Sequence, residues 1–238
     1  MVVRVNGTSR MDYTIRESKR AKRVILKVSE QHGLQVVIPH GSDPRRVPEI
    51  VKAHETWIEK QLQRIKQAPV LTAPEHIDLK ALDERWQVCY RSGSDGRTVL
   101  REAASEVLLV QGDVGDIRGI ALVLNQWLHL RARAHLVPWL REVSREVGIP
   151  FKKVAVRGQT TRWASCSRLE NISLNRSLLF LPSHLVRHVF LHELCHIRRL
   201  DHSSGFWQLL MELEPGYKDL EAQTRNANSF VAPWAQLR

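Results

Sequence analysis

The chain is poor in cysteine and has no long apolar run, and each shortage excludes a class of protein. Three cysteines (Cys89, Cys166 and Cys195) in 238 residues are too few and too scattered for a disulfide framework, which favours a reducing, cytoplasmic location. No apolar stretch reaches the roughly 20 residues that a membrane-spanning helix needs. The start of the sequence, MVVRVNGTSRMDY, lacks the apolar segment of a secretory signal. We therefore expect a cytoplasmic protein without a membrane partner.

Acidic residues are outnumbered by basic ones, and the imbalance is local. The chain has 36 Lys and Arg against 25 Asp and Glu, a formal net charge of +11. Within residues 131–200 there are thirteen basic and four acidic side chains. Such a field attracts acidic polymers, phosphates or nucleic acid, although basic helix faces are often only solvated surface. The charge thus biases the choice of substrate without fixing it.

The N-terminal half is predicted to be rich in β-structure. The β-branched runs RVILKV and LQVVIP, separated by SEQHG, predict a hairpin. Apolar residues at helical spacing then predict one helix over residues 43–67, and the two prolines of APVLTAP indicate a linker. Four short strands are expected over residues 76–112. No internal repeat is evident in the sequence.

The pattern changes near Val114. A long helix with Pro138 inside it is expected over residues 116–148, followed by three short strands and a helix that begins near Pro182. The fold class is therefore α+β, with a β-rich N-terminal half and a C-terminal half carrying the motif described below. The expected regions are 1–113 and 114–238, or one continuous domain.

The segment FLHELCHIRRLDHSSGFW carries the main chemical signal, an HExxH motif at residues 192–196. Positions i and i+4 of a helix lie one turn apart on the same face, so His192 and His196 can reach one ion at about 2.0–2.1 Å, which suits zinc. Glu193 follows the first ligand and can take a proton from water held by the metal. Two further histidines, His184 and His188, continue the four-residue ladder but have no neighbouring glutamate. We interpret His188 as a packing residue or as a support for the site.

A catalytic zinc usually has three protein ligands, and His202 is the candidate for the third. A continuous helix would turn His202 away from the metal, so the helix must end between His196 and His202. Asp201 tolerates turn conformations, and a serine after it can cap the next helix. The spacing HExxHxxxxxH equals that of metzincin metallopeptidases, but Arg199 stands at their glycine position and no Met-turn is evident.

The segments RWASCS, ISLNRSLLFLP and HELCHIRRLDHSSGFW together closely resemble the YgjP-like metal-dependent hydrolases, a zincin family, and more distantly the SprT-like peptidases. The N-terminal strands and the helix ending WIEKQL match as well, so the resemblance covers most of the chain. It implies a zincin-like catalytic half with an HExxH active-site helix. The resemblance assigns the metal ligands to His192, His196 and His202 and the catalytic role to Glu193.

The sequence departs from the family pattern at several positions near the motif. Ala164 replaces a glycine, Arg176 and Ser177 replace a Trp-Arg pair, Asp201 replaces an asparagine, and His188 stands where an aromatic residue is expected. None is a proposed ligand, so the departures bear on specificity. The resemblance also implies that RWASCS is an edge strand that pairs with a peptide, with Trp163 and Ser165 lining the cleft. The alternative is that Trp163 and Cys166 are core residues beneath the site.

The sequence thus predicts a Zn²⁺-dependent hydrolase, foremost a metallopeptidase that acts on a peptide or protein, with acidic or nucleic-acid-associated substrates as one option. One alternative is a single-metal hydrolase of nucleotides or phosphate esters, and another is a nucleic-acid-binding protein with a structural zinc. The oligomeric state is left open. Four side chains are candidates to stabilise the oxyanion: His188, Arg162, Arg176 and Tyr217.

Overall fold

The computed structural model describes residues 2–5, 12–29, 32–66, 71–93 and 96–237. The chain divides into two compact units, Met1–Val70 and Leu71–Arg238. The division lies at the proline-containing linker, whose residues 67–70 are outside the described part. The expected boundary at 113/114 falls inside the second unit.

The first unit is a four-stranded sheet with two helices. Its strands are β1 (Val2–Val5), β2 (Tyr13–Ser18), β3 (Ile25–Ser29) and β4 (Gly33–Pro39), in the order β1-β2-β4-β3. Strands β2 and β4 are parallel, whereas β1/β2 and β3/β4 are antiparallel. The predicted hairpin between the two β-branched runs is therefore confirmed.

The single helix expected over residues 43–67 is interrupted. A short 3₁₀ turn leads into α1 (Val47–Ala53), and α2 (Glu55–Lys66) follows after His54. The His54 ring donates to the Ile50 carbonyl at 2.9 Å, a side-chain bond that competes with the backbone pattern of a helix. Both helices contribute to the small core of this unit, which includes Val36 and Val51.

The second unit begins with another four-stranded sheet. Its strands are β5 (His76–Leu79), β6 (Glu84–Ser92), β7 (Val99–Ala104) and β8 (Val107–Gly112), in the order β5-β6-β8-β7. The central pair is again parallel and the outer pairs antiparallel, so the two sheets share one topology. Each sheet is followed in the chain by helix, which makes the two units partial structural repeats that the sequence pattern had not revealed.

A 30-residue helix, α3 (Ile117–Glu146), follows this sheet. The Asp116 carboxylate caps it by accepting from the Gly119 amide at 2.9 Å, and Pro138 lies within the helix without ending it. The sheet and α3 share one core, since Trp127 packs edge-on against Trp86 with ring centroids 5.2 Å apart. Their common core is the reason why the second compact unit does not start at residue 114.

The remaining elements form a layer of strands and helices around the motif. The strands are β9 (Lys153–Arg157), β10 (Ala164–Cys166) and β11 (Asn171–Asn175), in the order β10-β11-β9. The helices are α4 (Ser183–Arg198), α5 (Ser204–Leu213) and α6 (Tyr217–Asn226). Of these, α6 was not anticipated from the sequence. The mixed α and β architecture, β-rich at first and helical towards the end, agrees with the expected fold class.

The C-terminal segment packs into the core of the second unit. Trp234 is 3% exposed, lies edge-on against Phe180, and accepts a hydrogen bond from the Asn125 amide through its carbonyl at 2.9 Å. Among the described residues, no helix combines the length and the apolar character required to cross a bilayer.

Candidate metal centre

Helix α4 carries the HExxH motif, and the turn after the helix brings His202 close to His192 and His196. The helix ends at Arg198, and Arg199 is extended, with φ −139° and ψ 104°. Asp201 then accepts from the Ser203 amide at 3.4 Å, and α5 begins at the next residue. The predicted end of the helix between His196 and His202 is confirmed. Ser203 occupies the N-cap as expected, but its hydroxyl makes no capping bond.

Three imidazoles converge at this turn. Ligand nitrogens of His192, His196 and His202 all lie within 4.8 Å of one another, and the Nε2 atoms of His192 and His202 are 3.1 Å apart. Two nitrogens bound to one tetrahedral zinc at about 2.0–2.1 Å are separated by about 3.3 Å, so the set fits such an ion. The second and third histidines are fixed by Arg199, whose carbonyl accepts from His196 Nδ1 at 3.0 Å, and by Trp207, which stacks on His202.

The protonation states also suit metal binding. Burial lowers the pKa of His196 and of His202, and the neighbouring imidazoles lower both further. A lowered pKa keeps these rings neutral near pH 7, and a neutral imidazole is the form that ligates a metal. With His196 Nδ1 donating to a carbonyl, its Nε2 carries the free lone pair.

Glu193 lies beside this cluster in a nearly dry position. It is 6% exposed, and burial raises the pKa of its carboxyl to about 7, against the opposing effects of His192, the Cys166 backbone amide and Arg162. Among the described residues, its Oε2 atom has no hydrogen-bond partner. A carboxyl group with a pKa near 7 and one free oxygen can exchange a proton with a bound water or substrate.

A cluster of one histidine and two glutamates lies on the Nδ1 side of His192. His188 is 1% exposed, and its two ring nitrogens contact Glu214 Oε2 at 2.5 Å and Glu221 Oε2 at 3.2 Å. The same Glu221 oxygen lies 3.6 Å from His192 Nδ1. Glu214 follows α5 and Glu221 lies on α6, so three helices meet at this chain of contacts.

The charges of this cluster are mutually stabilised. Burial alone would lower the pKa of His188, but hydrogen bonds to Glu214 and Glu221 raise it to about 9. Hydrogen bonds to His188 and His192 hold the pKa of Glu221 well below its usual range. His188 is therefore a cation between two carboxylates, and Glu221 remains an acceptor for the Nδ1–H of His192.

Two sets of residues are close enough together to hold a metal ion, and they meet different ring nitrogens of His192. The set His188, His192 and Glu221 also lies within 4.8 Å, but both nitrogens of His188 already contact carboxylates. In the set His192, His196 and His202, the Nε2 atoms of His192 and His202 face each other at 3.1 Å, and neither is in an ion pair with a carboxylate among the described residues. A metal on the Nε2 side of His192 would leave Glu221 on the Nδ1 side, where carboxylates commonly orient a histidine ligand.

The other predicted site residues are distributed around the cluster. Arg162 lies near enough to Glu193 to affect its pKa, whereas Arg176 lies against Gly158. Tyr217 is buried and stacks on Trp207, one ring away from His202. Trp163 is half-buried, contacts the core and donates to the Thr224 carbonyl at 3.1 Å, so it pins the loop before β10 to α6.

The sequence did not predict Glu214 and Glu221 as partners of His188. The helix that carries Glu221, with the sequence YKDLEAQTRN, is mostly polar and gives no apolar periodicity, and Glu214 stands at a helix end. The one signal in the sequence was His188, one helical turn before His192. A histidine that is buried at this position requires a polar partner from another element.

Strand β10 lies at the edge of its sheet in the described part of the chain, paired with β11 on one side. It packs against α4, and its Cys166 amide hydrogen-bonds the Glu193 carboxyl. The strand therefore runs directly beside the motif, as expected from the sequence. Its other edge offers backbone groups for pairing with an extended chain.

Comparison with known proteins gives one family match. The model of the YgjP-like, metallopeptidase domain family matches residues 22–227. Among solved structures, the chain is similar to the metallopeptidase zymogen of Pyrococcus abyssi abylysin, at 23% identity and a TM-score of 0.36, over 40% of this chain and 95% of that one. It is also similar to the metallopeptidase zymogen of Methanocaldococcus jannaschii jannalysin, at 18% identity and a TM-score of 0.34, over 38% and 94%. No curated protein matches.

The family model covers most of the chain, from the first predicted hairpin to beyond α6, and includes the whole histidine cluster. The chain therefore belongs to the YgjP-like family of metallopeptidase domains.

Proposed function

We propose that the protein is a zinc-dependent metallopeptidase in which His192, His196 and His202 hold the ion and Glu193 is the general base. The observation that carries the proposal is the convergence of three imidazoles beside a buried carboxyl group with one free oxygen. Membership of a metallopeptidase family supports a peptide or protein substrate. Three imidazole nitrogens are also a ligand set that zinc accepts in catalytic sites.

The chain's own groups have distinct tasks in this proposal. When bound, zinc would act as a Lewis acid that lowers the pKa of water and polarises the scissile carbonyl. Glu193 accepts a proton from the attacking water and then delivers it to the leaving amine, which its pKa of about 7 permits in both directions. Its burial excludes bulk water from the transferred proton.

Substrate positioning falls to the edge strand and to Arg162. An extended peptide would add to the free edge of β10 through backbone hydrogen bonds, which places a peptide bond beside Glu193. Among the four candidates from the sequence, Arg162 is exposed and carries a positive charge close to Glu193. We assign to it the stabilisation of the oxyanion.

The decisive experiment compares peptide hydrolysis by the zinc-loaded wild type, Glu193→Gln and Glu212→Gln. Loss of the general base should reduce kcat by about 100-fold or more. Glu212 is exposed on α5 and contacts Gln208, so its change should leave the rate unaltered. A chelator should abolish the activity, and added zinc should restore it.

Two results would reject the proposal. Full peptidase activity in Glu193→Gln would remove the general base from its assigned role. Hydrolysis of nucleoside triphosphates that depends on Glu193, without any peptide cleavage, would replace the peptidase by a phosphate-ester hydrolase.

A further inference from the structure

A cavity of about 730 Å³ lies next to the candidate metal centre and is rich in arginine. It is lined by seven residues: Cys166, Arg168, Arg198, Arg199, Leu200, Asp201 and Ser203. These residues come from the end of β10, the turn after it, and the segment between α4 and α5. The cavity therefore lies entirely within the second unit.

The arginine side chains that line this cavity outnumber its carboxylates. Among the described residues, neither Arg168 nor Arg198 forms an ion pair or a hydrogen bond through its guanidinium group. Arg199 lies over Gly205, with Nε 3.5 Å from the position of a Cβ there. Hydrogen bonds from Ser203 and, to a lesser degree, the charge of Arg199 lower the pKa of Asp201, the single carboxylate of the lining. One carboxylate therefore faces three guanidinium groups, and an excess of positive charge remains.

The cavity is connected directly to the catalytic groups. Cys166 contributes the backbone amide that hydrogen-bonds Glu193. On the other side, the Arg199 carbonyl accepts from His196 at 3.0 Å, and Ser203 follows His202 in the chain. A peptide paired with the free edge of β10 would thus pass from Glu193 towards the arginines.

We propose that this cavity is a specificity subsite that takes an acidic side chain, Glu or Asp, close to the scissile bond of the substrate. The guanidinium groups of Arg168 and Arg198 would bind the carboxylate, and Leu200, which is 56% exposed, would contact the apolar stem. The inference rests on the proposed peptidase function, because it names the residue that the peptide must carry.

A peptide carboxylate fits these observations better than a nucleic acid. The cavity is local and lies at the end of the strand that would hold the peptide. Binding of a nucleic acid backbone requires a succession of cationic contacts along a groove. Here the excess charge is concentrated beside one turn of the chain.

The test uses binding to zinc-loaded Glu193→Gln, which should bind peptides without cleaving them. The probes are fluorescent, otherwise neutral peptides in which a single Glu is moved through the positions around a central Ala–Ala bond, together with the matched Gln series. At one position Glu should bind about five- to tenfold more tightly than Gln, as expected for a partly exposed charged contact. Adding Arg168→Gln and Arg198→Gln together should remove this preference.

The control variant combines Lys153→Gln with Arg157→Gln, which together remove two positive charges from β9, outside the cavity. The preference for Glu must persist in it. Equal affinity for the Glu and Gln series would overturn the subsite, and so would equal loss of the preference in this control variant, since the overall net charge would then explain it. Displacement of the Glu peptide by a short single-stranded DNA at lower concentration than by unlabelled peptide would also overturn it.

The outcome for the subsite is separable from the outcome for the peptidase. If the Glu preference depends on the two arginines but the wild type cleaves none of the peptides, the subsite stands and the peptidase function fails. If the wild type cleaves the Glu and Gln series with equal kcat/KM and binds them equally, the peptidase function stands and the subsite fails.

Discussion

The Glu221 carboxylate lies beside the ring nitrogen of His192 that faces away from His202, and His188 contacts the same carboxylate. Glu221 lies 3.6 Å from His192 Nδ1 and 3.2 Å from His188 Nε2. A carboxylate in this place fixes the tautomer of the ligand and raises its basicity.

We expect Glu221→Gln to weaken zinc affinity by about 10- to 100-fold, the usual effect of removing such a partner. The measurement is competition for zinc against a chromophoric chelator, with Glu212→Gln as the control. His188→Phe should weaken binding in the same direction, since Glu221 would lose its hydrogen-bond donor. Unchanged affinity in Glu221→Gln would assign the cluster to helix packing alone.

The assignment of the third ligand is tested by zinc content. Wild type purified without added metal should carry nearly one zinc per chain by elemental mass spectrometry, and His202→Ala should carry clearly less. His184→Ala is the matched control, because His184 is exposed at the start of α4. Stoichiometric zinc in His202→Ala would show that His202 is not a ligand, and the set His188, His192 and Glu221 would then have to be tested in the same way.

At the scale of elements, prediction succeeded where the sequence pattern was local. Helix α4 has an apolar face, and His192, Glu193 and His196 follow from one turn of it. The end of the helix before His202 followed from the need for a third ligand. Helix α6 could not be predicted in this way, since its polar residues form a helix in the context of their neighbours. Glu221, the partner of His188 on this helix, was therefore not predicted.

Arg131 joins the first sheet of the second unit to α3 through a partly buried contact. Its guanidinium donates two hydrogen bonds to the Glu84 carboxylate, at 2.8 and 2.5 Å, and lies 4.5 Å over the Trp86 ring. Both partners of the ion pair are 18% exposed. The contact joins strand β6 to α3 at the edge of their shared core.

Arg131→Met should lower the free energy of unfolding by about 2 kcal/mol, because it leaves the Glu84 carboxylate half-buried without its cation. Thermal or urea unfolding measures the change. Arg187→Met is the comparison, since the Arg187–Glu146 pair is more exposed and its loss should cost clearly less stability. Equal losses in the two variants would contradict a special role for the buried pair.

At the scale of the whole molecule, the core that the sheet β5–β8 shares with α3 explains why the boundary expected from the sequence differs from the division of the chain. A change from strand-rich to helical sequence occurs near residue 114, but it separates β8 from a helix that packs on the same sheet. The core residue Leu108 of β8 and Leu124 of α3 belong to one cluster. Composition along the chain reports local structure, whereas a domain boundary depends on which distant residues share a core.

This argument predicts different fates for two fragments. Residues 71–238 contain a complete core cluster, and the Ala81 amide even donates to the Leu179 carbonyl at 3.1 Å, far along the chain. This fragment should unfold cooperatively and bind one zinc. Residues 114–238 lack the sheet, so Trp127 would lose Trp86 and the apolar face of α3 would be exposed to water.

Circular dichroism in the near ultraviolet, thermal unfolding and zinc content measure both fragments under the same conditions. We expect a cooperative transition and near-stoichiometric zinc for 71–238, and neither for 114–238. A folded, zinc-binding 114–238 would show that the catalytic half is a domain in its own right, as the sequence pattern suggested. Failure of 71–238 to fold would show instead that the first unit is needed for the stability of the second, and the metal centre would then depend on the whole chain.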